Sequence, residues 1–81
     1  METLVKAAIK QNGVVYTGRR HNEIIFNMVR AGIVLTEAVQ GFLTSEDRFL
    51  TRNEALKVAI AAGQVRRENI KGGTLTSENL W

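Results

Sequence analysis

The side chains best able to do chemistry here are binding groups. Arg19, Arg20, Arg48, Arg52, Arg66 and Arg67 can each hold a phosphate through two parallel N–H···O bonds. Tyr16, Phe42, Phe49 and Trp81 can stack on a base, and Gln40, Asn53, Gln64 and Asn79 can read polar base or ribose edges. Groups suited to covalent or acid–base chemistry are scarce. His21 is the one side chain that exchanges protons near neutral pH, and it stands alone. Ser45 and Ser77 lie in acidic surroundings with no base nearby in sequence. Glu46 and Asp47 are adjacent in a turn, where they point apart into water. No HExxH, P-loop, GxGxxG or Cys/His cluster is present. The inventory therefore predicts a binding protein, not an enzyme, with no cofactor and no metal.

Composition sets the frame. Eighty-one residues make one domain, 1–81, with a modest core. With no cysteine and one histidine, disulfides and zinc are ruled out as reinforcement, and oligomerisation remains. Apolar content of 44 % predicts a folded chain, and no apolar run is long enough to span a membrane. The N-terminal METLVKAAIK lacks the apolar centre of a signal peptide, so a cytoplasmic location is expected. The net charge of +3 is unevenly spread: two basic ends flank an acidic middle from 21 to 47. That pattern suits an anionic ligand at one place better than a long nucleic-acid track. A site for a nucleotide-sized ligand needs concave walls, which two small subunits could build together.

The elements that must position these groups are well signalled. Residues 4–10 and 14–20 flank Asn12-Gly13, the strongest short hairpin signal. This register sets Ile9 against Tyr16, Ala7 against Gly18 and Val5 against Arg20 on an apolar side, with Lys6, Ala8, Lys10, Val15, Thr17 and Arg19 on the other. Gly18-Arg19-Arg20-His21 then opens a helix to about Ala31, with Ile24, Ile25, Met28 and Val29 as its broad apolar stripe, Phe26 beside it, and Gly32 as its stop. The free N–H groups at that helix start, beside Arg19, Arg20 and His21, could receive an anion. Residues 33–39 show no clear period.

The stretch Gln40–Gln64 is the most legible. Two short strands around Phe42-Leu43 and Phe49-Leu50 flank the turn Ser45-Glu46-Asp47. Thr51 and Glu54 form a capping box, and Gly63 ends the helix that follows. Residues 66–73 read as a loop or short excursion, and the apolar end Leu75, Leu80 and Trp81 is expected to dock on its own subunit or on a neighbour. No internal repeat is visible. The predicted fold is α+β, a small antiparallel sheet with two helices packed on it, in the order β-β-α-β-β-α-tail.

Taken over its length, the chain resembles small phage-encoded proteins, and in particular the Thoeris anti-defence family. The resemblance rests on the GRRH turn opening a helix, the GFLTS–RFLTR–EA unit running into an AGQ helix end, and the closing SENLW. It implies a sponge that binds a glycocyclic ADP-ribose messenger in the infected host's cytoplasm and holds it uncleaved. It also implies oligomers with pockets shared between subunits, some members taking cyclic oligonucleotides. This chain is compact for the group, which leaves the higher assembly and any second pocket open. The expected ligand contacts rest on chemistry and position: Arg19, Arg20, His21, Gln40, Phe42, Arg48, Phe49, Arg52 and Trp81. A different reading is an accessory phage protein that binds a host protein or nucleic acid.

Overall fold

The computed structural model describes residues 1–81, apart from the side chain of Lys71. Strands β1 (Leu4–Gln11), β2 (Val14–Gly18), β3 (Val39–Thr44) and β4 (Phe49–Thr51) form one antiparallel sheet in the order β2-β1-β3-β4. Helix α1 (His21–Arg30) connects β2 to β3, and α2 (Arg52–Ala61) follows β4 directly. Short 3-10 turns at Arg67–Asn69, Lys71–Gly73 and Ser77–Asn79 carry the tail. The architecture is the α+β fold that the sequence predicts.

Local chemistry explains each element. Asn12 and Gly13 both have positive φ, 52° and 77°, as the two-residue turn between β1 and β2 requires. The sequence-derived pairs Ile9–Tyr16 and Ala7–Gly18 are present. Val5 departs from expectation. β2 ends at Gly18, and the β1–β3 register slips between Leu4 and Lys6. This bulge turns Leu4 into the core and leaves Val5 44 % exposed. In the second hairpin the Thr44 hydroxyl accepts the main-chain N–H groups of Glu46 and Arg48, each at 3.2 Å, while Asp47 takes a positive φ. The Thr51–Glu54 capping box is complete: Thr51 N–H donates to Glu54 Oε1 at 3.0 Å, and Glu54 N–H donates to Thr51 Oγ1 at 3.4 Å.

Both helices contribute to one core. Ile24 and Met28 of α1 and Ala55 and Ala59 of α2 join Leu4, Ala7, Ile9, Phe42, Leu50 and Leu75. The buried stripe of α1 is narrower than its sequence suggests: Val29 is 59 % and Phe26 60 % exposed. Two glutamines pin the ends of β1 by presenting their amides as a backbone would. Gln64 accepts from Leu4 N–H at 2.8 Å and donates to Leu4 O at 2.9 Å. Gln11, itself buried, donates to Val34 O at 2.9 Å and accepts from Thr36 N–H at 3.2 Å. The tail closes over the same core, with Leu75 fully enclosed and Ile70, Leu80 and Trp81 packed against it.

The sequence shows no repeat, but the structure does. Each half is a hairpin followed by a ten-residue helix. His21, Ile24, Met28 and Gly32 correspond at one constant offset to Arg52, Ala55, Ala59 and Gly63. Both glycines have positive φ, and both helices end in the same pair of hydrogen bonds: Ile33 N–H to Met28 O matches Gln64 N–H to Ala59 O, and Gly32 N–H to Val29 O matches Gly63 N–H to Ile60 O. The repeat is hidden because large side chains in α1 correspond to small ones in α2.

Of the two glycines in the strands, Gly41 is the more tightly enclosed. A Cβ there would stand 2.0 Å from the Leu50 carbonyl oxygen and 2.8 Å from Phe49 Cζ. At Gly18 the obstacle is only the Ile24 side chain, at 2.9 Å. Gly41→Ala should therefore cost at least about 1–3 kcal/mol, and Gly18→Ala less, because a side chain can move and a paired carbonyl cannot. Urea unfolding midpoints of the two variants would check the order.

Candidate functional site

The site begins with how α1 starts. Arg20 occupies the N-cap and its side chain makes no capping bond. The acceptor comes from the tail instead: His21 N–H points to Ser77 Oγ at 3.5 Å, and Ser77 is buried. The His21 ring turns inward, 6 % exposed, with Nε2 2.7 Å from the Gly41 carbonyl oxygen and its edge on Phe42 at 5.1 Å between centroids. A carbonyl can only accept, so Nε2 carries the proton. Burial pushes the imidazole pKa down; the Gly41 bond and Glu78 oppose this, and Arg52 adds to it. The ring is a neutral internal tie between α1 and β3.

With His21 turned in, Arg19 and Arg20 are set at the surface. Arg20 donates to the main-chain oxygen of Trp81. The indole lies tilted against Phe42, 6.3 Å between centroids. Arg19 and Trp81 line a hollow of about 390 Å³ together with Val5, Lys6, Thr17 and Gly18. Two cations and an indole thus share one concave surface. Lys6 is absent from the sequence-derived set, where it reads as a solvated strand position. Only the strand register, which sets Lys6 on the same side as Thr17 and Arg19, gives it away. The bulge that expels Val5 supplies part of the wall.

The other expected contacts go elsewhere. Phe42 has no exposed surface and lies at the centre of the core, so it has no face left for a ligand. Gln40 Oε1 accepts from Arg52, whose Nε is enclosed without a partner. Arg48 is held by Glu2 through two bonds, Nε to Oε2 at 2.8 Å and a terminal nitrogen to Oε1 at 2.6 Å. That pairing holds the Glu2 carboxyl well below its usual range, at about 2. Phe49 is half-buried above Gly41, with Lys10 Nζ 5.9 Å from its ring centre. The hollow takes Gly18 and Arg19 from the GRRH turn and no residue from the β4–α2 junction. Of the nine residues, Arg19 and Trp81 meet in the hollow and Arg20 braces it. Among the described residues no three His, Cys, Asp or Glu side chains converge as a metal site would require, and no helix is long and apolar enough to cross a membrane.

The pKa directions define two pH windows. His21 is harder to protonate folded than unfolded. Its contribution is complete above the unfolded value of 6.5 and declines as pH falls from there toward the lower folded value. Glu2 acts in a separate window, its contribution fading between 4.5 and about 2. Urea unfolding from pH 7.5 to 5 should show stability falling below about 6.5. His21→Gln, though less stable throughout, should flatten that slope.

A family model described as "Phage T4 y16D protein" matches residues 3–81, nearly the whole chain. The chain belongs to this family of phage proteins. No curated protein and no solved structure matches it.

Proposed function

We propose that this member of the phage T4 y16D family binds and sequesters a cyclic nucleotide messenger of the host's immune response, without cleaving it. The glycocyclic ADP-ribose type is the first candidate and cyclic oligonucleotides the second. The observation that carries the reading is the hollow lined by Lys6, Arg19 and Trp81. Two cations there could meet a diphosphate while the indole stacks on adenine. Among the described residues neither cation has an ion-pair partner, so binding would break no existing pair. The sequence resemblance to the Thoeris anti-defence proteins supports the same ligand class.

The hollow covers one side of such a ligand, and pockets that hold nucleotides enclose most of their surface. In this reading a second copy of the chain supplies the other wall, and the protein acts in the cytoplasm of the infected host. Among the described residues that line the hollow there is no carboxylate, histidine or cysteine side chain, which supports retention over turnover. His21, the nearest titratable imidazole in sequence, has its Nε2 committed to Gly41.

The test is retention and release. Purified protein is incubated with cyclic ADP-ribose isomers and cyclic oligonucleotides, filtered, then heated, and the released material is identified by mass. Recovery of the intact messenger supports the proposal. No retention at micromolar protein, or release of an altered product, overturns it. Arg19→Ala and Lys6→Ala should each weaken binding by about 1.5–3 kcal/mol. Arg48→Ala should leave it unchanged, because that guanidinium is already held by Glu2. Calorimetric titration of the three variants would separate these outcomes.

A further inference from the structure

The helices pack on one face of the sheet and leave the other open. Strand register identifies its residues, because directly paired residues project to the same side. Lys10 pairs with Val15 and Val39; Ala8 pairs with Thr17 and Gly41; Lys6 pairs with Leu43, which pairs with Phe49. Ile9, Ala7 and Phe42 belong to the opposite, buried side. Lys6, Lys10 and Thr17 are exposed on the open face, and Val15 and Val39 are 37 % and 47 % exposed; Ala8 and Gly41 at its centre are buried, Gly41 beneath the half-buried Phe49.

The charge on this face has one sign. None of the four strands contains an Asp or Glu, and their only charged residues are Lys6 and Lys10. Arg19 follows β2 and lines the hollow with Lys6 and Thr17, extending the row of cations. Among the described residues none of these three has an ion-pair partner. Between the lysines, Phe49 lies across Gly41 with Lys10 Nζ over its ring, 5.9 Å from the centre, so a base that stacks there displaces this ammonium toward a phosphate. A second copy packed squarely on this face about a two-fold axis, with no anionic ligand between, would bring cations against cations with no carboxylate from the strands to offset them. A polyanion with flat apolar faces meets no such conflict.

We infer that the open face of the sheet is a binding platform for single-stranded nucleic acid. Lys6, Lys10 and Arg19 meet phosphates along the strand, and a base stacks on Phe49 beside Leu43, with Val39 and Val15 as further apolar surface across the face. Phosphate contacts supply affinity and the ring supplies a sequence-tolerant stacking surface. The platform borders the messenger hollow but does not depend on it, since Lys10, Val39 and Phe49 lie outside that hollow.

Fluorescence anisotropy of a labelled oligothymidylate of about 12 nucleotides tests this directly. Three phosphate contacts predict a loss of about 20-fold in affinity between 50 and 200 mM salt. Lys10→Gln combined with Val39→Glu changes two exposed positions on the face and should weaken binding at least about tenfold at low salt, with the far-UV circular dichroism unchanged. Arg48→Ala should bind as the parent does. The inference is overturned by an absence of binding at about 200 µM protein in low salt, or by full binding in the double variant. It is also overturned if sedimentation shows a dimer that Lys10→Glu dissociates, which would assign the face to a second copy. Messenger retention without oligonucleotide binding would remove this inference and leave the proposed function standing.

Discussion

The bond from the buried imidazole of His21 to the Gly41 carbonyl lies where the first helix, the sheet and the tail meet. It fixes the start of α1 to the inner strand β3. The same residue's main-chain N–H reaches Ser77, which brings in the tail. Its ring edge meets Phe42, the largest wholly enclosed side chain, and Phe42 in turn meets Trp81. A charged imidazole in this position would have to be desolvated, so the arrangement holds the ring neutral. Everything at the hollow follows from that anchoring. With His21 committed inward, the two preceding arginines have to leave the core, one toward the main chain of Trp81 and one toward the open hollow.

The repeated hairpin-and-helix unit explains why the two halves of the molecule are chemically unequal. Corresponding positions diverge in size. Where α1 inserts Ile24 and Met28, α2 presents Ala55 and Ala59, both completely buried, and can lie close to the sheet. The first residues of the two helices also diverge. His21 is small enough to bury and bond to the sheet; Arg52 is not, and reaches Gln40 with its Nε enclosed and unpartnered. The first helix lacks a cap of its own and borrows Ser77, whereas the second carries a full capping box. A helix start that caps itself closes off its own N–H groups. The other must be closed by a distant segment, and the end of that segment forms one side of the hollow.

Local signals carried most of the fold in the sequence. Asn12-Gly13, the turn at 45–47, the Thr51–Glu54 box and Gly63 each act over a few residues, and the structure places every one as read. What escaped depends on distant partners. The bulge at Val5 arises from pairing with β3, some forty residues along the chain. The exposure of Val29 and Phe26 reflects how little of α1 the sheet covers, which periodicity alone overstates. The candidate site was less legible for the same reason. Arg48 looks as available as Arg19 in a one-dimensional reading, and nothing local announces that Glu2 will fold back onto it. Phe42 and Phe49 sit in similar contexts, and only the register shows that one faces the core and the other the open side of the sheet.

Those pairings also decide where an anion could go. A guanidinium held by a carboxylate must give up that partner before it can serve a phosphate, and one bonded to a main-chain oxygen must give up part of the tail's anchorage. By this criterion Arg48 and Arg20 are poorly placed to receive a ligand, and Arg52 is tied to Gln40. Among the described residues Lys6, Lys10 and Arg19 have no ion-pair partner, although Lys10 lies over the Phe49 ring. All three lie on or beside the helix-free side of β1 and β2, where the strands contribute no negative charge. The mild net charge of +3 therefore understates the local field, because the carboxylates lie on the N-terminal segment, the loops and turns, the helices and the tail. What matters for an incoming phosphate is less the number of arginines in the chain than which cations the folded structure has left unpaired and grouped on one surface.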